Sequence, residues 1–209
     1  MKFEKLGWIV AAALAGCMFG AGFQDKNEKS GTVDLAKVFN DSDYAKKQTE
    51  SLKGMGQVRQ SVIDFVRSNQ HVKVEAADRF RSLSLKDAAT AADKADIERI
   101  KQDAIASEGA YKTLLTKSGP TDADKVQLEE MNTRKADIQK LLERWSGEFS
   151  EELRLKQESL RTDTLTRVRE AVQSVAKAQG YSIVFVQDVA PYSANDLTQA
   201  ALDAMNKKK

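Results

Sequence analysis

The 209 residues carry 33 Lys and Arg against 31 Asp and Glu, a formal charge of +2, with 41% hydrophobic and 31% charged side chains and only 2 prolines. That balance excludes a multi-span membrane protein and gives no bulk attraction to nucleic acid; aromatics at 7% suit one elongated, helix-rich domain better than a large private core. Cys17 and His71 are the single cysteine and the single histidine, which excludes an internal disulfide framework and a cysteine-based zinc site and removes most Ser-His-Asp, Cys-His and multi-histidine metal chemistry.

The amino terminus is an address. Residues 1–5 carry two lysines and residues 6–23 carry no charge, the basic-then-apolar order of an export signal. Three readings compete for these residues. Gly20, Ala21 and Gly22 form a signal-peptidase site that releases a soluble chain near Phe23. Leu14-Ala15-Gly16-Cys17 forms a lipobox with Cys17 as the lipidation site. Alternatively the 18 apolar residues stay as an anchor, at the lower end of the roughly 17 to 25 that span a bilayer. Residues 24–31 are polar and read as a tether.

From Thr32 the segment TVDLAKVF reads as a short strand turning into a helical step, and Asn40-Asp41-Ser42-Asp43 supplies N-cap residues for a long helix through Tyr44, Leu52, Val58, Val62 and Phe65. Gly54 and Gly56 each weaken that helix by about 1 kcal/mol relative to alanine. The β-branched run His71-Val72-Lys73-Val74 interrupts it, and residues 82–90 interrupt it again. Two helix starts then share one spacing, Thr90 with Asp93 and Thr121 with Asp124. Each is a variant capping box with a carboxylate near the positive helix end.

Ser118-Gly119-Pro120 stops the first of these helices, so the chain is expected to reverse at about 118–121 into an antiparallel helical hairpin. The returning helix, about 122–178, would extend on the order of 85 Å. Leu128, Met131, Ile138, Leu142, Trp145 and Phe149 form a heptad seam with Lys135 at the skipped position, which slips at Leu153. Gly180 closes the helix. Ile183 to Val186 are four consecutive apolar residues, as in a strand covered on both faces. Ala190-Pro191-Tyr192-Ser193 turns, and Asp196 caps a last helix.

These ends, residues 32–39 (TVDLAKVF), 175–185 (VAKAQGYSIVF) and 189–206 (VAPYSANDLTQAALDAMN), in this order around a long helical hairpin, resemble the Skp/OmpH-like family of periplasmic chaperones. The resemblance covers roughly residues 30 to 206. It implies an α+β, mainly α fold: a coiled-coil tentacle on a small β body built from the N- and C-terminal strands, assembled as a homotrimer that holds unfolded outer-membrane proteins in the periplasm without ATP. The single domain would span 32–206, with 32–43 and 180–206 as the body and 44–179 as the tentacle. Isolated strand pairs are marginal in water, so oligomerisation fits independently. Val33, Leu35, Val38, Phe39, Ile183, Val184, Phe185 and Val186 are assigned to the body and trimer interface, with an ordinary intrachain core as the alternative.

Charge departs from the strongly basic pattern of better-known members: without its first 24 residues the chain has 31 basic against 30 acidic groups. Residues 44–67 and 153–179 are each net +3, and residues 122–152 are net −4. In a hairpin the two basic stretches are neighbours, so Lys46, Lys47, Lys53, Arg59, Arg154, Arg161 and Arg169 form a basic zone facing clients or anionic membrane surfaces, or a solvated helix face. His71 reads as a surface or hinge residue and Trp145 as core. The expected function has no catalytic residue, cofactor, metal or nucleic acid. The rival is an envelope-anchored structural coiled coil that tethers or scaffolds.

Overall fold

A computed structural model describes residues 29–207. The leader readings, including Cys17, and most of the tether lie outside the described residues. The elements are β1 (Ser30–Val33), α1 (Leu35–Asp41), α2 (Asp43–Ser68), α3 (Val74–Ser84), α4 (Ala91–Thr116), α5 (Asp122–Ala178), β2 (Ile183–Val186) and α6 (Thr198–Lys207). They fall into two compact units. The body unit takes the chain up to Ser42 and from Leu165 onward; the arm unit is Asp43–Thr164.

In the body unit, β1 pairs β2 in parallel, Ser30 beside Ile183 through Val33 beside Val186. Parallel strands need a crossover connection. Here everything between residues 34 and 182 is that crossover. The far side of β1 is occupied by the chain before α6: Thr32 N donates to Asn195 O and Leu197 N to Thr32 O, both at 2.8 Å. The strand turns directly into α1, because Asp34 caps it by accepting Lys37 N at 2.8 Å while its own amide donates to Thr198 Oγ1 at 2.9 Å. Val33, Val38, Leu197, Ala201 and Met205 are buried in this unit.

The end of α5 is set by backbone chemistry. Gly180 takes φ 74°, which lets Tyr181 N reach Ala176 O at 2.9 Å and Gly180 N reach Lys177 O at 3.3 Å. These two hydrogen bonds satisfy carbonyls that a helix end leaves open. The chain then enters β2, as the glycine implies.

The arm unit contains four helices. The expected interruptions are present at 69–73 and 85–90, and between them lies α3 as a helix of its own. Both capping boxes form. Thr90 Oγ1 accepts Asp93 N at 3.1 Å while Asp93 accepts Thr90 N at 2.8 Å, and Thr121 with Asp124 repeats this at 3.2 and 2.7 Å. Gly119 takes φ 71° in the link 117–121. Across that link Tyr111 Oη donates to Asn132 Oδ1 at 3.1 Å.

The heptad positions Met131, Ile138, Leu142, Trp145 and Phe149 are buried and Leu128 is half-buried. Those from Ile138 to Phe149, with Leu141, join one cluster with Val62 and Val66 of α2, Ala77 and Phe80 of α3, and Ile100 and Ala104 of α4. The seam therefore serves three helices. Fully burying each large apolar side chain contributes about 1.5–3 kcal/mol, so this cluster anchors the arm unit.

Candidate functional site

In the body unit, strand alternation divides β2 into two faces. Val184 and Val186 are half-buried, but Ile183 and Phe185 are 44% and 41% exposed, so the expected cover on both faces is absent among the described residues. Among the described residues β2 pairs only with β1. The body's open features are thus one apolar sheet face and one strand edge, with Val189 and Tyr192 also exposed in the following loop. Of the other body residues singled out in the sequence, Val33 and Val38 are buried and Leu35 and Phe39 half-buried.

In the arm unit, the basic positions divide by partner. Arg59 grips Glu152 through Nε at 3.0 Å and Nη2 at 2.5 Å and lies 5.7 Å from the Phe149 ring centroid. Its guanidinium holds the Glu152 carboxyl below the usual range. Arg154 bridges Glu151 at 2.8 Å and Glu158 at 2.7 Å, which raises its own pKa. These two arginines are compensated in place. Lys46, Lys47, Lys53 and Arg161 are exposed, as is Arg169 in the body unit.

His71 is not a surface residue. It is 3% exposed: its Nδ1 lies 2.6 Å from Glu108 Oε2, and its ring stacks on Tyr111 with centroids 3.7 Å apart, both partners coming from α4. A helix distant in sequence covers the interruption that the β-branched run creates. Arg81 of α3 lies over Trp145 and Phe149, 5.2 and 4.7 Å from their ring centroids, and pairs with Glu148 at 2.6 Å. Among the described residues no group of His, Cys, Asp and Glu side chains is placed to hold a metal, and no helix is long and apolar enough to cross a membrane.

A body of two terminal strands interrupted by a long helical excursion is the arrangement the terminal motifs imply. A profile for the family described as outer membrane protein (OmpH-like) matches residues 29–205. The chain belongs to the OmpH-like family. No curated protein and no solved structure matches it. At the level of the family, OmpH-like proteins are periplasmic chaperones of outer-membrane proteins, not enzymes.

In this OmpH-like chain two features escaped sequence reasoning. One is the seating of α3, signalled only by Ala77 and Phe80 at helical spacing between two breaks. The other is a lysine added to each capping box: Lys86 Nζ reaches Asp93 and Lys117 Nζ reaches Asp124, each at 2.7 Å. Its signal was present in the sequence, since KDAATAAD and KSGPTDAD place Lys, Thr and Asp at identical spacing.

Proposed function

We propose that this chain is a trimeric, ATP-independent holdase that keeps unfolded outer-membrane proteins soluble in the periplasm. The family match over residues 29–205 carries the reading. The exposed Ile183 and Phe185 support assembly, because a two-stranded sheet with one bare apolar face gains stability from a partner. Val33, Leu35, Val38, Phe39, Val184 and Val186 complete the proposed body core and trimer interface, and the helices of each chain form a hairpin arm with its tip at 118–121.

Holding requires no reacting group. It requires many weak contacts, multiplied by avidity across three arms. Lys46, Lys47, Lys53 and Arg161, with Arg169, supply exposed positive charge for acidic clients or anionic surfaces; Arg59 and Arg154 contribute less because carboxylates already neutralise them.

The test is to measure the mass of the purified chain in solution and its effect on a urea-denatured β-barrel protein diluted into buffer without ATP. A trimer that suppresses aggregation supports the reading. A dimer, or a trimer without effect, would favour the tether. Charge reversal at Lys46, Lys53, Arg161 and Arg169 should weaken holding, and unchanged holding would remove the basic zone from the mechanism.

A further inference from the structure

Helix α3 is the shortest helix of the arm unit. Its 11 residues fall below the roughly 12–15 at which an isolated helix becomes stable in water. Unlike the starts of α4 and α5, its first turn receives no side-chain cap, since Lys73 occupies the N-cap position. Irregular links flank it on both sides, at 69–73 and 85–90.

What holds α3 in place is a narrow apolar face, with Val74, Ala76 and Leu83 packed at its margin and Phe80 tilted on Phe65 of α2 at 4.6 Å, together with Arg81 over the Trp145 and Phe149 rings and a rim of ion pairs. Ala77 and Phe80 are buried in the cluster that contains Leu142, Trp145 and Phe149 of α5. Arg81 pairs with Glu148 at 2.6 Å and Arg79 with Asp96 at 2.5 Å; Glu148 and Arg79 are open to solvent, so screening keeps these contributions modest. The seat also contains an orphaned group. Trp145 Nε1 is buried with no hydrogen-bond partner among the described residues, as is His71 Nε2 in the link leading into α3. Such atoms disfavour the closed state, because water would satisfy them on opening.

We propose that α3 is a clasp: by local opening it leaves α5 and exposes an apolar stripe of Leu142, Trp145 and Phe149 to an unfolded client. An occupant that replaces Ala77 and Phe80 must bring apolar side chains in succession along one face. An extended segment with alternating apolar residues, such as the lipid-facing side of a β-barrel strand, does so. The inference rests on the holdase reading and names a client site within it. Clients then compete with α3, and apparent affinity is set by the fraction of open arms.

Hydrogen exchange on the full chain tests the opening, and client affinity tests its use. Amides of 74–84 should exchange about tenfold or more faster than those of 138–149. Phe80→Ala, which weakens the seat, should tighten binding of a denatured β-barrel protein several-fold. The milder pair Asp96→Asn and Glu148→Gln, which leaves the core intact, should act in the same direction. Exchange of 74–84 in step with 138–149, or folded variants that bind the client no more tightly than the parent, would overturn the clasp alone. A chain that binds no unfolded protein while 74–84 exchanges rapidly would overturn the holdase reading instead.

Discussion

His71 and Glu108 are joined across 37 residues by a 2.6 Å contact between Nδ1 and Oε2, which fastens the 69–73 link to α4. Replacing His71 by alanine removes that contact and the stack on Tyr111, and leaves a gap in a buried site. The expected loss is about 2–3 kcal/mol. Glu108→Gln keeps an acceptor and should lose less. Urea unfolding followed by Trp145 fluorescence, in a Trp8→Phe background, measures both.

Trp145 is completely buried, yet its indole nitrogen has no partner among the described residues. Trp145→Phe removes the orphaned donor along with some volume, so the two effects oppose each other. The loss should stay under about 1.5 kcal/mol, against about 3–5 kcal/mol for Trp145→Ala. Equal losses in thermal denaturation would contradict this account.

Gly31 sits where no Cβ fits. An added carbon would collide with Leu197 Cδ1 and lie 3.1 Å from both Asn195 O and Tyr181 Cε1. One of these neighbours is backbone and cannot rotate away. Gly31→Ala should destabilise the body unit by about 1–3 kcal/mol. Amide exchange by NMR should show the loss in β1, β2 and α6, with the cluster around Trp145 spared.

The two box carboxylates titrate unusually low. The hydrogen bond from Lys86, then those from the Thr90 amide and hydroxyl, hold Asp93 at about 2. Asp124 is held at about 2 by Lys117, then by the Thr121 hydroxyl and amide. A pKa depressed on folding gives stabilisation that is complete above the ordinary aspartate value of about 3.9 and disappears as pH falls through about 2. The first turns of α4 and α5 should therefore fray between about pH 4 and pH 2. An NMR titration should show Asp93→Asn and Asp124→Asn chains already frayed at neutral pH and insensitive across that window.

Phe185 lies on the open face of β2. If that face is the trimer contact, Phe185→Asp should yield monomers by light scattering while the helical signal of the arm persists. A Phe185→Asp chain that remains trimeric would place the interface elsewhere.

Much of the local structure was legible because it depends on nearest neighbours. Thr90 with Asp93, Thr121 with Asp124, Gly119 and Gly180 each act through bonds spanning a few residues, so their spacing announces helix starts and stops. The burial of Ile138, Leu142, Trp145 and Phe149 follows equally from periodicity. His71 was misjudged for the converse reason: the residues that bury it, Glu108 and Tyr111, are more than 30 positions away and carry no periodic relation to it.

The sequence by itself determined the starts of α4 and α5 and the end of α5, the apolar stripe of α5, the strand propensity of both ends and, through their motifs, the OmpH-like family. Only the tertiary structure decided that β1 and β2 run parallel, that Ile183 and Phe185 remain uncovered among the described residues, that Arg59 and Arg154 are neutralised where they stand, and that α3 folds against Trp145. Each of these depends on which distant segments meet. Periodicity gives a segment its buried face, but the partner on that face is selected by packing and charge summed over the whole fold.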